Sequence, residues 1–170
     1  MIELGIIDTD DKLELIDGEI LEMSPIGRRH KVCVDRLTSI FAPTLDGQAI
    51  VRIQSSIVLE DGQEPEPDVA LLTFRPDFYA TVDETPADVL LVIEVADTSL
   101  EYDRRTKAPL YARYGIPELW IADLARERLL VYLEPTSRGY ASTQMLAPGE
   151  TVAPLAFPAL QVPVAAIFGR

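Results

Sequence analysis

The chain has 170 residues, 48% of them hydrophobic and 25% charged, and this mixture excludes a disordered chain, a collagen and a coiled coil. With 28 acidic and 15 basic residues its formal net charge is −13, which argues against a broad nucleic-acid-binding surface. One cysteine, Cys33, excludes a disulfide framework, and one histidine, His30, excludes any two-histidine metal motif. No repeat or linker divides the sequence, so we predict a single domain over residues 1–170.

The N-terminal part of the chain carries a hairpin pattern and then a helical pattern. LELIDGEILEM has two short apolar runs around Asp17-Gly18, the strongest short signal for a β-hairpin. Apolar residues recur at three- and four-residue intervals from His30 to Phe41. This spacing predicts an amphipathic helix that ends near Pro43.

Strand patterns dominate the middle of the chain. AIVRIQSSIVLE, residues 49–60, predicts one strand, and DVALLTF predicts a short one from Asp68. A disordered-looking connection follows over residues 75–86. VLLVIEV, residues 89–95, is apolar on both faces except for Glu94, which is typical of a strand in the middle of a covered sheet.

The last third of the chain returns to a helix and then to strands. Asp-Thr-Ser at 97–99 offers helix N-caps, and a helix is predicted from there to about Tyr114, closed by Gly115. ELWIAD and RLLVYLE predict a strand pair that turns at 125–126, and edge strands with a short final helix are expected from Gly139. The predicted class is mixed α/β (α+β).

Neither end of the chain predicts membrane insertion or export. The N-terminus lacks a basic start followed by a continuous apolar stretch, so no signal peptide is expected. Residues 151–169 are uncharged but contain three prolines, which a helix of about 20 residues through the bilayer could not hold. We expect a soluble, cytoplasmic protein.

Two acidic residues stand where strands begin or end. Glu94 interrupts an apolar strand, and a buried charge is costly unless it is paired or binds a metal. From its position alone, a strand-end glutamate that reaches solvent is an equally good interpretation. Asp68 opens a strand directly after Pro67, at the rim of a sheet. Two carboxylates at neighbouring strand ends would make a site for Mg²⁺ or Mn²⁺, which prefer oxygen ligands.

Lys107 lies in an apolar stripe of the predicted helix. At about 100° per residue, Leu100, Lys107, Tyr111 and Tyr114 share one face, which predicts that the ammonium points toward the sheet. The alternative is a lysine that reaches the helix edge and pairs with Asp103, one turn back. A lysine aimed at two acids is suited to orient a metal-bound hydroxide that attacks phosphorus.

Four blocks of sequence together resemble a nuclease family. They are LELIDGEILEMSP, PEPDVALL, VLLVIEVADTSLEYDRRTKAPLYARYGIPELWIAD and the hairpin after it, and they cover most of residues 13–134. In this order and spacing they resemble the Uma-type restriction endonuclease family of the PD-(D/E)xK superfamily. The resemblance implies a restriction-endonuclease-like fold, a mixed β-sheet flanked by helices with an N-terminal β-hairpin.

The resemblance also implies roles for individual residues. Asp68 takes the place of the PD aspartate and Glu94 that of the (D/E), and the two would hold Mg²⁺ or Mn²⁺ with the backbone carbonyl of Val95. The usual lysine falls at Ala96, and the matching lysine on the next helix is Lys107. Some members of the superfamily add an upstream acid, for which the first hairpin offers candidates that are otherwise solvent-facing strand residues: Glu14, Glu19 and Glu22.

Other residues fit structural roles better than chemical ones. His30 and Cys33 share a helix face, but no third member of a catalytic group is evident, so packing is the favoured interpretation, with His30 able to border the site. Trp120 is predicted to be core. Two small basic clusters are expected to be solvated faces or, if nucleic acid binds, phosphate contacts: Arg28, Arg29 and Lys31, and Arg104 with Arg105.

The implied function is a metal-dependent DNA endonuclease in which Asp68 and Glu94 bind the metal and Lys107 orients water. Two alternatives stay open: a binding or assembly module that keeps the fold without turnover, favoured by Ala96 and the acidic charge, and a hydrolase of a smaller phosphodiester. A homodimer is the default oligomeric state.

Overall fold

The computed structural model describes residues 13–16, 19–22, 27–59 and 62–170. Strands β1 (Leu13–Ile16) and β2 (Glu19–Glu22) pair antiparallel, which confirms the predicted hairpin. The predicted turn at Asp17-Gly18 lies outside the described residues.

A six-stranded sheet with the order β3-β4-β5-β6-β7-β8 forms the centre of the fold. Only β5 and β6 run parallel, because a helical crossover returns the chain to the same end of the sheet, whereas every other pair is antiparallel. The strands are β3 (Ala49–Ile53), β4 (Val69–Thr73), β5 (Val89–Ala96), β6 (Glu118–Asp123), β7 (Arg128–Thr136) and β8 (Gly139–Leu146).

Helices cover both faces of this sheet, as a central strand apolar on both sides requires. Helix α1 (Arg28–Thr44) and the C-terminal α4 (Val164–Phe168) pack on one face, and α3 (Ala108–Arg113) packs on the other. Alternate residues of β5 divide between the two cores, with Ile93 and Val95 facing α1 and Val92 facing α3. The predicted mixed α/β class is confirmed.

The crossover helix differs from the predicted continuous helix. It starts as α2 (Leu100–Tyr102), passes through a π-helical turn (Asp103–Lys107) and continues as α3. Ser99 stands at the N-cap, but its side chain makes no capping bond and instead donates to the Asp103 carboxylate at 2.7 Å. Gly115 follows the helix with a φ of +75°, the left-handed conformation that glycine adopts without strain.

Two sequence expectations are wrong in the region between β3 and β5. The strand predicted over 49–60 stops at Ile53, because Gln54 takes a left-handed backbone conformation with a φ of 45°. The connection over 75–86 is not disordered-looking in the structure. The Tyr79 hydroxyl donates to the Thr73 carbonyl at 3.0 Å, and the buried Glu84 carboxylate accepts the Val58 N–H at 3.1 Å.

The C-terminal region adds a small two-stranded sheet before α4. Strand β9 (Thr151–Val152) pairs antiparallel with β10 (Val162–Pro163), so the predicted late strands and short final helix are confirmed. Across the described ranges, no helix combines the length and the apolarity that a bilayer crossing requires.

Candidate active site

Glu94 points from β5 toward the crossover helix and is only 3% exposed. The Tyr111 hydroxyl donates to its Oε1 at 2.7 Å, and Lys107 Nζ lies 3.2 Å from the same oxygen. The interpretation of Glu94 as a solvent-reaching strand-end residue is therefore wrong. A carboxylate so buried stays charged only with such charge-assisted partners.

Lys107 is the last residue of the π-helical turn and is 2% exposed. Its predicted direction, toward the sheet, is confirmed, because Nζ lies beside Glu94 Oε1, and the ammonium does not reach solvent at the helix edge. Asp103, at the start of the same turn, is also buried. A π turn places five residues where an α-helix places about four, and such turns recur at functional sites.

Asp68 lies directly before β4, the strand that pairs with β5. Its Oδ2 accepts the backbone N–H of Val95 at 2.8 Å, so the side chain extends the hydrogen-bond ladder beyond Val69. The register Val69↔Ile93 starts one residue after Asp68, so Asp68 lies beside the part of β5 that carries Glu94. The two sequence-predicted acids thus come from adjacent strands at one end of the sheet.

His30 joins this end of the sheet from the first turn of α1. Its Nε2 lies 3.0 Å from each oxygen of the Asp68 carboxylate. The sequence pattern favours packing for His30, whereas the structure gives it a polar contact with Asp68, a predicted site residue. The sequence feature that could have indicated this contact is the position of His30 in the first turn of α1. The fold brings that turn next to Asp68, at the start of β4.

Two further residues of the site escaped sequence analysis. Tyr111 was expected on the inward stripe as an apolar residue, but its hydroxyl binds Glu94. Gln54 Nε2 points to Asp68 Oδ1 at 3.4 Å, and the Gln54 N–H donates to the Asp68 carbonyl at 3.1 Å. No pattern in the sequence marks Gln54, because its position depends on where β3 ends.

The donor set at this site is suited to a hard cation. Mg²⁺ is commonly held by one or two carboxylates and keeps several waters. Asp68 and Glu94 supply carboxylate oxygens of that kind from adjacent parts of the sheet. Among the residues that the structure describes, no group of three or more His, Cys, Asp and Glu is placed to hold a metal ion. The side chains of the upstream candidates Glu14, Glu19 and Glu22 lie outside the described part.

Cys33 and Trp120 are structural, as the sequence predicts. Cys33 is buried with its thiol near the Ile167 carbonyl at 3.6 Å, and burial raises the pKa of the thiol to about 12. Such a thiol carries almost no thiolate at neutral pH, so it is no nucleophile. Trp120 is fully buried and donates to Glu118 at 2.7 Å.

The two basic clusters lie on exposed helix surfaces. Arg104 and Arg105 face solvent and pair with Glu101 at 3.5 and 2.9 Å, as expected of a solvated face. In the first turn of α1, Arg29 pairs with Asp97 at 3.4 Å and donates to the Leu124 carbonyl. Arg29 therefore ties the start of α1 to the end of β5.

The fold that presents this site is a nuclease fold. The chain is similar to a crystal structure described as a putative nuclease belonging to DUF820 from Anabaena variabilis ATCC 29413, with a TM-score of 0.72 and 16% sequence identity. The similarity covers 98% of this chain and 95% of that one. At this identity the likeness shows the fold, and it confirms the fold predicted from the sequence.

The family follows from the sequence itself. Residues 2–165 match the model of the Uma2 family, described as "Putative restriction endonuclease", and the chain belongs to that family. This confirms the resemblance found in the sequence motifs and supports a nuclease function in general terms. The search of curated proteins found no match.

Proposed function

We propose that this protein is a metal-dependent endonuclease that hydrolyses phosphodiester bonds in DNA. The observation that carries the proposal is the approach of Lys107 Nζ to within 3.2 Å of Glu94 Oε1. The lysine comes from the crossover helix and not from position 96, where Ala96 stands. Lys107 nevertheless contacts Glu94, the acid beside which a lysine at position 96 would be expected.

Each residue has a role that its contacts support. Asp68 and Glu94, with the Val95 carbonyl, would hold Mg²⁺ or Mn²⁺. When bound, such a cation polarises a phosphoryl oxygen and lowers the pKa of a bound water. Lys107 supplies a fixed positive charge beside Glu94, where it can orient water and offset charge that develops on phosphorus. Tyr111 holds Glu94, and His30 holds Asp68, in fixed orientations.

A module that keeps this fold without turnover is the second candidate. Glu94 Oε1 already accepts from Tyr111 and lies beside Lys107, as a purely structural buried ion pair would. The net charge of −13 also disfavours tight, sequence-independent DNA binding. Both observations are compatible with hydrolysis, since a bound cation offsets part of the negative charge at the site.

The test is cleavage of supercoiled plasmid and of labelled oligonucleotides with Mg²⁺ or Mn²⁺, at low salt because few phosphate contacts are expected. Asp68→Asn keeps the size of the side chain and removes its charge, and Asp35→Asn makes the same change on the exposed side of α1. We expect wild type and Asp35→Asn to cleave equally, chelation to stop both, and Asp68→Asn to lose about a hundredfold or more in rate.

Three results would redirect the proposal. Metal binding by calorimetry without cleavage of any DNA or RNA would favour the module. Cleavage of bis(p-nitrophenyl) phosphate alone would favour a smaller phosphodiester as substrate. Equal cleavage by wild type and Asp68→Asn would remove Asp68 from the site.

A further inference from the structure

A groove of about 290 Å³ runs along the first turns of α1, and neither Asp68 nor Glu94 lines it. Three arginines and an apolar floor make up most of its lining: Arg28, Arg29, Arg36, Val32, Leu124 and Phe168. We call it the arginine groove. Its volume is at the lower end of the range of about 300–1,000 Å³ found for small-ligand pockets, so it has room for about one nucleotide and not for a duplex.

The arginine groove is locally positive on an acidic protein. Three arginines and one glutamate, Glu127, line it, so the charge of these side chains is +2 against −13 for the whole chain. Arg170 hydrogen-bonds Glu127 and holds the pKa of that carboxyl below its usual range. Arg170 neutralises Glu127 and Asp97 neutralises Arg29, so the charges of Arg28 and Arg36 leave the groove positive, which suits an anion.

The arginine groove adjoins the candidate site through the first turn of α1. Arg28 and Arg29 directly precede His30, whose ring contacts Asp68 at 3.0 Å. Arg29 is held toward the end of β5 by Asp97. Arg29 thus places one wall of the groove next to the end of the strand that carries Glu94.

We propose that the arginine groove binds one nucleotide of the DNA strand next to the scissile phosphate. The phosphate lies against Arg28 and Arg36, because guanidinium groups match phosphate geometry. The base lies on the apolar floor at Val32 and Phe168, as bases stack on aromatic side chains in single-strand-binding grooves. The proposal rests on the proposed function, since it assigns part of that site's substrate.

The test measures binding separately from cleavage. Fluorescence anisotropy with a labelled single-stranded DNA, in EDTA and at low salt, compares wild type with Arg28→Gln and Val32→Glu. Arg138→Gln, which removes the same charge from the exposed β7–β8 turn, is the control. We expect three- to tenfold weaker binding for Arg28→Gln, with a salt slope lower by about one. Val32→Glu, which places a negative charge in the groove, should weaken binding more, and Arg138→Gln should change it less than twofold.

Steady-state cleavage separates this proposal from the proposed function. Arg28→Gln should raise KM and leave kcat unchanged, because the groove binds substrate and transition state alike. If wild type binds DNA through the arginine groove but cleaves no substrate, the groove proposal is supported and the proposed nuclease function is wrong. If cleavage depends on Asp68 but wild type, Arg28→Gln and Val32→Glu bind DNA equally, the nuclease function is supported and the groove proposal is wrong. Absence of any DNA binding by wild type would also overturn it.

Discussion

Two neighbouring strands each bury a glutamate, and their surroundings differ. Glu94 of β5 is 3% exposed and meets the cation of Lys107 and the hydroxyl of Tyr111. Glu118 of β6 is 1% exposed and accepts from two neutral donors, the Trp120 indole and the Leu155 N–H, each at 2.7 Å. Burial raises the pKa of the Glu118 carboxyl despite both hydrogen bonds.

The two glutamates also face different parts of the molecule. Glu118 alternates with Trp120, which packs with α1, and it anchors the C-terminal region through Leu155. Glu94 faces the crossover helix, and Asp68 lies directly before the neighbouring strand β4, where it accepts the N–H of Val95. A buried carboxylate alone therefore does not indicate a catalytic site. The cation and the second acid distinguish Glu94 from Glu118.

The largest expected effect is on cleavage when Lys107 is removed. Lys107→Met should lower the rate per folded molecule about a hundredfold to ten-thousandfold, because a positioned acid–base group is lost. Arg105→Met is the control: it removes the charge of an exposed residue in the same π-helical turn and should leave the rate unchanged. Single-turnover cleavage in Mn²⁺, on protein checked by circular dichroism, measures both. Equal rates for all three proteins would make the pair of Lys107 and Glu94 purely structural.

Loss of folding needs its own control in that experiment. Removal of one partner from a buried ion pair costs about 3–5 kcal/mol, because the other charge stays buried. Lys107→Met combined with Glu94→Gln leaves two neutral groups and should recover part of that loss. Recovery of stability in the double variant shows that Lys107→Met loses stability because the Glu94 charge is left without its cation. The role of Lys107 in the chemistry is then read from the rate of Lys107→Met per folded molecule, because the double variant also lacks the proposed metal ligand Glu94.

The effect of a metal on stability distinguishes Glu94, a proposed metal ligand, from Glu118. A cation that binds only the folded protein stabilises it by about 2.7 kcal/mol when its concentration is a hundred times Kd. Scanning calorimetry should therefore show a higher Tm with Mn²⁺ for wild type and Glu118→Gln, and no such rise for Glu94→Gln. A rise of the same size in all three proteins would place the metal away from Glu94.

The smallest expected effect concerns Glu118 and pH. Its folded-state pKa is raised, so the folded protein holds this proton more tightly than the unfolded chain does. The favourable contribution is fully present below the unfolded pKa of about 4.3 and is lost as pH rises through the folded pKa. Glu118→Gln removes this dependence but gives up one hydrogen bond, at a cost of about 1–3 kcal/mol. Its stability deficit relative to wild type should narrow as pH rises from about 4.

Urea unfolding at a series of pH values measures that deficit. Glu134→Gln, which makes the same change at an exposed position of β7, is the matched control. A Glu118→Gln deficit that widens with pH would contradict the raised pKa.

The sequence by itself determined most of the elements and part of the site. The two-sided apolar pattern of residues 89–95 identifies β5 as a central strand, because only a sheet covered on both faces buries both sides of a strand. Helical spacing predicts the inward direction of Lys107, since direction around a helix follows from residue number alone. Asp68 and Glu94 stand out because they are charged residues at strand ends.

Only the tertiary structure decided what these residues meet. His30 contacts Asp68 across 38 residues of chain, and Leu155 reaches Glu118 across 37. Such contacts depend on strand register and on how helices cross the sheet. Gln54 joins the site only because β3 ends there. The π turn that contains the buried Asp103 and Lys107 was likewise not predicted, because the pattern of residues 97–114 gives one continuous helix. Local periodicity predicts the direction of Lys107 around the helix axis, but it does not identify Glu94 as the residue that Lys107 contacts.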